Sequence, residues 1–294
     1  MKKLIDKIMN KPFIKRRVRK LKTAFVTNKL EKMTSISLVT EEKREIPIIV
    51  SLTSYPARLG TLYLTLKSMM RQTVKPNRII LYLDEWVDLD EIPESLIKMK
   101  EYGLEIERRE YDLKCHKKYL HAITENPDAI VITIDDDVLY HKKTIEELYK
   151  SYQLYPDAVS AKRVHRILVN EDGSLYPYNS WDWLCTSIEK PSYELLATGV
   201  GGVLYPPHVL DEKTFDIEKI TSLSKRNDDI WLKCVQIVTH TKTVWAKTKH
   251  IEPIQIDDVT FGLCDGNVEN SQNEIYLSNL EKEFSIDWKT ILDN

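Results

Sequence analysis

Ile130-Val131-Ile132-Thr133-Ile134-Asp135-Asp136-Asp137-Val138-Leu139-Tyr140 sets three adjacent carboxylates directly behind a β-branched apolar run. Such a run reads as a buried strand, and in open α/β sheets ligands gather beyond the carboxyl ends of strands. Three neighbouring acids repel one another and cost stability unless a cation compensates, so a divalent metal with oxygen ligands is the natural partner of this turn. A solvated acidic turn is the alternative that these residues alone leave open.

Upstream of that run the chain alternates between two periodicities. Residues 48–52 form an apolar run with Pro47 just ahead of its start, and Leu59, Leu62, Leu66, Met69 and Met70 then keep helical spacing. Further runs at 79–83 and 104–108 read as strands, with a helix expected near 92–99 and another over 117–124. Strands alternating with helices imply parallel pairing with right-handed crossovers, hence an α/β layered fold with helices on both faces of the sheet. The second half is less regular. Asn170-Glu171-Asp172-Gly173 predicts a hairpin turn, 227–238 a helix and 243–246 a strand, so mixed β pairing is expected there.

Composition agrees with a globular chain. Of 294 residues, 42% are hydrophobic and 30% charged, enough to bury a large core. Cys115, Cys185, Cys234 and Cys264 form no Cys-x-x-Cys pair, which fits buried thiols in a reducing compartment. The sequence shows neither a spanning apolar run nor a signal-peptide core, so a cytoplasmic location is expected.

The formal net charge of −2 hides an asymmetry. Residues 1–33 hold twelve basic side chains against Asp6 and Glu31, a net +10, which leaves the rest acidic. Leu4, Ile5, Ile8, Met9, Phe13 and Ile14 recur at helical spacings, so a basic amphipathic helix attracted to an anionic membrane surface is expected. A solvated tail lying against its own acidic body is the plainer reading. Nucleic acid is not an expected partner, because the body is acidic and carries no recognised binding motif.

The residues also resemble a family. Ser51-Leu52-Thr53-Ser54-Tyr55-Pro56-Ala57-Arg58 after the first strand, Gln72-Thr73-Val74-Lys75-Pro76 before the second, and the Asp135–Asp137 run look like the nucleotide half of GT-A glycosyltransferases and their Asp-x-Asp motif. Gly199-Val200-Gly201-Gly202 and Asn227-Asp228-Asp229-Ile230-Trp231 are similar to the glycine-rich segment and acidic helix start of the acceptor side, especially in family 2-like proteins of bacterial surface-polysaccharide clusters. The resemblance covers roughly residues 46–250. It implies a GT-A fold with a basic segment and connector over 1–45, a nucleotide-sugar half over 46–140 and an acceptor-binding half over 141–294. The Gln-x-x-Arg-Trp segment of processive synthases is missing, which favours addition of a single sugar to a glycan or lipid-linked acceptor.

The same resemblance distributes roles. Asp137 is the expected ligand of Mn2+ or Mg2+, Asp135 a ribose contact or second ligand, and Asp136 the residue that orients its neighbours. His250 is a candidate late metal ligand. Thr53, Tyr55, Arg58, Asp84, Lys117 and Lys118 are expected donor contacts, with Asp84 placed to accept from a uracil N–H and the lysines near phosphate. Asp229 is the expected general base, with Asp228 positioning metal, base or acceptor, although a helix N-terminus favours acids for its own sake. Gly201 and Gly202 would let backbone approach the donor sugar, and Trp181 and Trp183 would form a platform for an acceptor ring. Two other classes compete with this reading: a haloacid-dehalogenase-like phosphatase, whose Asp-x-Asp normally follows the first strand rather than the fourth, and a non-catalytic nucleotide- or carbohydrate-binding protein.

Overall fold

β-Branched and leucine-rich runs become the strands of a central sheet, and the helical periodicities become the layers on either side of it. The computed structural model describes residues 12–256 and 272–292. A helix α1 (Pro12–Glu31) leads to β1 (Ile48–Thr53), α2 (Pro56–Met69), β2 (Arg78–Asp84), a short α3 (Glu94–Ile97) and β3 (Leu104–Arg109). Then come α4 (Lys117–Glu125), β4 (Ile130–Thr133), β5 (Val138–Leu139), α5 (Thr144–Leu154) and β6 (Val159–Ala161). The second half holds β7 (Val164–Arg166), β8 (Asp182–Trp183), β9 (Leu195–Ala197), β10 (Val203–Tyr205), α6 (Ile217–Leu223), α7 (Asp228–Val238), β11 (Thr243–Trp245) and β12 (Ile254–Gln255). Helices α8 (Gln272–Phe284) and α9 (Trp288–Leu292) follow.

Seven strands form one sheet in the order β11-β6-β10-β4-β1-β2-β3, parallel except for β10, which runs against both neighbours. The expected α/β architecture is therefore present, and the sheet runs through both halves of the chain. Along β1 and β4 the side chains alternate faces, as a two-residue period requires. Val50, Leu52, Ile132 and Ile134 join the core beneath α2 and α5, whereas Ile49 and Val131 pack with Ala122 of α4 on the other face. A second apolar cluster under α7 gathers Tyr119, Val159, Val203, Trp231 and Leu280. The expected hairpin turn is there as well: the Gly173 N–H donates to the Asn170 carbonyl at 3.0 Å, and Gly173 takes the left-handed φ of 92° that a side chain would resist. The helix expected near 92–99 is shorter: it closes into α3 and a tighter 3₁₀ segment ending at Gly103.

This topology positions a site. From β1 the chain moves outward through β2 to β3, then returns to place β4 on the opposite side of β1. The order reverses between β1 and β4, and the crevice beyond their carboxyl ends is where open α/β sheets bind ligands.

Two peripheral features refine the expectations. No helix among the described residues is long and apolar enough to cross a membrane. The basic segment does not hang free: Leu30 of α1 is fully buried with Leu64, Leu139 and Ile256, and the Thr23 hydroxyl donates to the Gln255 carbonyl at 3.2 Å. Burial of Leu30 alone contributes about 2 kcal/mol to holding the helix down. The expected apolar positions 4, 5, 8 and 9 lie outside the described residues.

One buried group has a measurable cost. Lys233 of α7 is 1% exposed, its ammonium has no hydrogen-bond partner among the described residues, and burial pulls its pKa down to about 7. Because the unfolded lysine titrates far higher, the unfolded chain binds the extra proton between these two values, so this group's contribution to stability rises with pH from about 7 upward. Lys233→Met is expected to stabilise the protein by about 2 kcal/mol in denaturant titrations at pH 7, the gain shrinking toward pH 10. An unchanged or lower midpoint for the variant would contradict this.

Candidate active site

Parallel register brings the end of β1 beside the end of β4. Ser51 pairs with Thr133, so Ser54 and Arg58, just past β1, meet the carboxylates just past β4. The Ser54 hydroxyl donates to Asp136 Oδ2 at 2.5 Å and Arg58 Nη1 to Asp136 Oδ1 at 2.8 Å, while the Thr65 hydroxyl donates to the Asp136 carbonyl at 2.8 Å. Asp136 is thereby buried and fully engaged as the strut of the turn. Burial pushes its carboxyl upward, with Arg58 and Ser54 opposing. Asp135 and Asp137 flank it half-buried. Burial and then the Asp135 charge raise Asp137 to about 6, although Arg58 Nη1 lies 3.2 Å from its Oδ2.

From the other face α4 sends Lys118 into the same crevice. The Ser51 hydroxyl donates to its carbonyl at 2.5 Å, and its ammonium sits 2.7 Å from Asp135 Oδ1 and 3.0 Å from Asp228 Oδ2. Burial would lower this lysine, but Asp135, Asp228 and Asp229 together hold it well above its ordinary value, so it stays charged. Asp228 and Asp229 open α7, yet neither is needed as its cap. Asn227 performs that role, its Oδ1 accepting from the Ile230 N–H at 2.9 Å. Both acids are thus available to the crevice. Burial would raise Asp228, but Lys118 with His116 outweighs it and holds the carboxyl down; burial and then the Asp228 charge push Asp229 up to about 8. The two titrate as a pair, Lys118 holding Asp228 down and burial with the Asp228 charge pushing Asp229 up.

The glycine-rich segment ties these acids together. The Gly199 N–H donates to Asp229 Oδ1 at 2.9 Å. A Cβ on Gly199 would stand 3.0 Å from Lys118 Nζ, 3.3 Å from Asp229 Oδ1 and 3.6 Å from Asp135 Oδ1, so all three groups border one point. Tyr140 links the same elements: its hydroxyl accepts from the Asp135 N–H at 2.8 Å and donates to the Val200 carbonyl at 3.3 Å.

No family model matches this chain, and no curated protein does. Among solved structures it is similar to the mannosyltransferase PcManGT from Pyrobaculum calidifontis in complex with GDP-Man and Mn2+, at 10% identity and a TM-score of 0.49, over 90% of this chain and 71% of that one.

The remaining expected residues divide. Arg58 sits at the crevice, its guanidinium 5.3 Å from the centre of the half-exposed Tyr55 ring, and the Thr53 hydroxyl donates to the Tyr82 carbonyl at 2.8 Å. Asp84 and Lys117 form a buried ion pair at 2.6 Å. Both lysines of α4 are buried, and each neutralises a buried acid, Lys117 with Asp84 and Lys118 with Asp228. At Gly201 a Cβ would meet Arg163 Cβ at 2.7 Å, so chain packing there requires glycine, and Gly202 takes a φ of 92°. Trp181 is buried, its indole N–H donating to the Tyr176 carbonyl at 2.9 Å, so it offers no ring face to a ligand. Trp183 is exposed and stacks on His165, with Arg163 5.9 Å from its ring centre. Arg163 in turn donates to the Thr198 hydroxyl at 2.9 Å, one residue before Gly199.

Metal donors were expected at Asp135, Asp137 and His250. The His250 ring instead stacks on His141 at 3.6 Å, beside a cavity of about 660 Å3 also bordered by Lys142, Lys143, Lys249 and Trp245. Among the described residues no group of three His, Cys, Asp or Glu forms a metal cage. The donor set offered is two carboxylates, Asp135 and Asp137. That suits a hard cation such as Mg2+ or Mn2+, which takes one or two protein carboxylates and completes its shell with substrate phosphates and water. The upward shift of Asp137 fits it too, since an added cation favours the ionised form. Ser54, Tyr140, Arg163 and Gly199 were not singled out from the sequence. Ser54, Tyr140 and Gly199 lie within the quoted stretches, but only tertiary structure identifies their partners.

Proposed function

We propose that the protein is a glycosyltransferase of GT-A type that moves one hexose from a nucleotide sugar, a UDP-sugar by preference, to a glycan or lipid-linked acceptor with inversion. The observation that carries this reading is the convergence at Gly199. A metal-suited acid, Asp135, and an acid of raised pKa, Asp229, lie within 4 Å of one point in the switch-point crevice. Sugar transfer needs both: charge neutralisation at a departing diphosphate, and a base on the opposite side for the incoming hydroxyl.

In this scheme Asp135 and Asp137 would hold Mn2+ or Mg2+, which when bound would supply positive charge to stabilise an anionic leaving group, and Arg58 steadies Asp136 and Asp137. Asp229, oriented by the Gly199 N–H, takes the proton of the acceptor hydroxyl as its oxygen bonds to the anomeric carbon and the bond from that carbon to the phosphate oxygen breaks. Lys118 keeps Asp228 ionised, and that charge raises the basicity of Asp229. Trp183, joined to this region through Arg163 and Thr198, provides the acceptor platform. Assembly of a cell-surface polysaccharide from the cytoplasmic side is the pathway class that such a reaction serves.

A panel of nucleotide sugars, each with and without Mn2+, tests the assignment by thermal shift. At least one is expected to raise the melting temperature only with the metal, and that same donor should be hydrolysed slowly without acceptor. Stabilisation by none, with no hydrolysis, would overturn the reading.

A further inference from the structure

Helix α1 has two unlike long faces. One is docked: Thr23, Val26 and Leu30 lie against α2 and β12, and Glu31 is held on that side by the Tyr63 hydroxyl at 3.2 Å and, through its carbonyl, by the Lys67 ammonium at 3.0 Å. The other is open. Val18, Leu21 and Phe25 are 43, 66 and 72% exposed. Their spacing of three and four residues, at ~100° per residue, puts them on one ridge pointing away from the docked side. Exposed apolar side chains that lie in a row, rather than scattered singly, mark a surface that meets a partner.

The charges around this ridge narrow its partner. Arg17 and Lys20 border it on one flank and Lys22 and Lys29 on the other, all exposed, and no acidic residue occurs between Pro12 and Leu30. A protein partner would need an acidic, apolar groove as long as the helix. An anionic lipid surface meets both demands anywhere along its plane, taking apolar side chains below the headgroups and ammonium and guanidinium groups at their level. We infer that the outer face of α1 is a docking surface for anionic phospholipid, with Val18, Leu21 and Phe25 inserted and the flanking basic residues paired to headgroup phosphates.

This goes beyond the proposed reaction, and its test requires no turnover. The full chain is sedimented with vesicles of phosphatidylcholine alone and of phosphatidylcholine with phosphatidylglycerol, at low and high salt. Binding is expected to be at least tenfold tighter to the anionic vesicles and to weaken with salt. Leu21→Ser combined with Phe25→Ser, and separately Lys20, Lys22 and Lys29→Gln, should each weaken it about tenfold without lowering the melting temperature, since these side chains lie outside the docked face. Equal binding to both vesicle types, or equal binding by wild type and both variants, would overturn the inference. So would association of the chain with itself in the absence of lipid that the Leu21/Phe25 variant abolishes, because a second copy would then be the occupant.

Discussion

Asp137→Asn is expected to lower turnover by about 10³-fold or more while leaving the fold intact. The substitution keeps the shape of the side chain and removes the charge that would bind a divalent ion. Two features separate this outcome from a simple loss of structure. Asp136, the neighbour that holds the turn through Ser54 and Arg58, is untouched. Asp137 itself is raised to about 6 by burial and by Asp135, so at neutral pH its ionised form works against folding. The sign follows: the folded state holds the proton more tightly than the unfolded chain, so this group's contribution falls as pH rises through the interval up to about 6. At pH 7 and without metal, the asparagine variant should melt no lower than wild type. Chelator should silence the wild-type enzyme, and added Mn2+ should restore it but not the variant. Full activity in excess chelator, or an Asp137→Asn enzyme that turns over normally, would remove the metal from the site.

Much of the fold is legible in the sequence, because its information is local. Continuous β-branched and leucine-rich apolar runs became β1, β2 and β4, the spacing of Leu59, Leu62 and Leu66 became α2, and Asn170–Gly173 closed its turn. The direction of β10 was not readable. Three apolar residues after a glycine segment look the same in either orientation, and only pairing with Thr133 and Ala161 reverses the strand. That reversal places Gly199 and Gly202 at the rim that holds Asp135.

The site was legible as a set of acids but not as a network. From the sequence, the Lys-Lys pair at a helix start is an expected phosphate contact; tertiary packing buries both and gives one to Asp84 and the other to Asp135 and Asp228. Asp228 and Asp229 read equally well as caps until Asn227 is seen to fill that role. Trp181 and Trp183 are two residues apart, so strand alternation alone would put both on one face. The structure separates them because Trp181 lies just ahead of β8, its indole donating to the Tyr176 carbonyl, whereas Trp183 is in the strand and pairs with His165 of β7.

Asp229→Asn is expected to reduce kcat by about 10² or more with donor affinity preserved, because a base contributes only when the acceptor proton moves. The geometry supports such a split. Asp229 is held by the Gly199 N–H, whereas Arg58, Asp135 and Asp137, which the proposed scheme assigns to the donor, are held by other partners. An asparagine oxygen still accepts from that N–H, so the crevice keeps its shape. The pH profile supplies a second criterion. A base works when ionised, and burial with the Asp228 charge holds Asp229 up to about 8, so wild-type kcat/KM should rise with pH as this pair loses its proton. That limb should be missing from the variant. Asp228→Asn should have the opposite effect on the limb, moving it to lower pH, because the charge that raises Asp229 is gone. Inverted configuration at the anomeric carbon, read from the product's NMR coupling constant, completes the case. Retention, or an unaltered pH limb in Asp229→Asn, would assign the proton to another group.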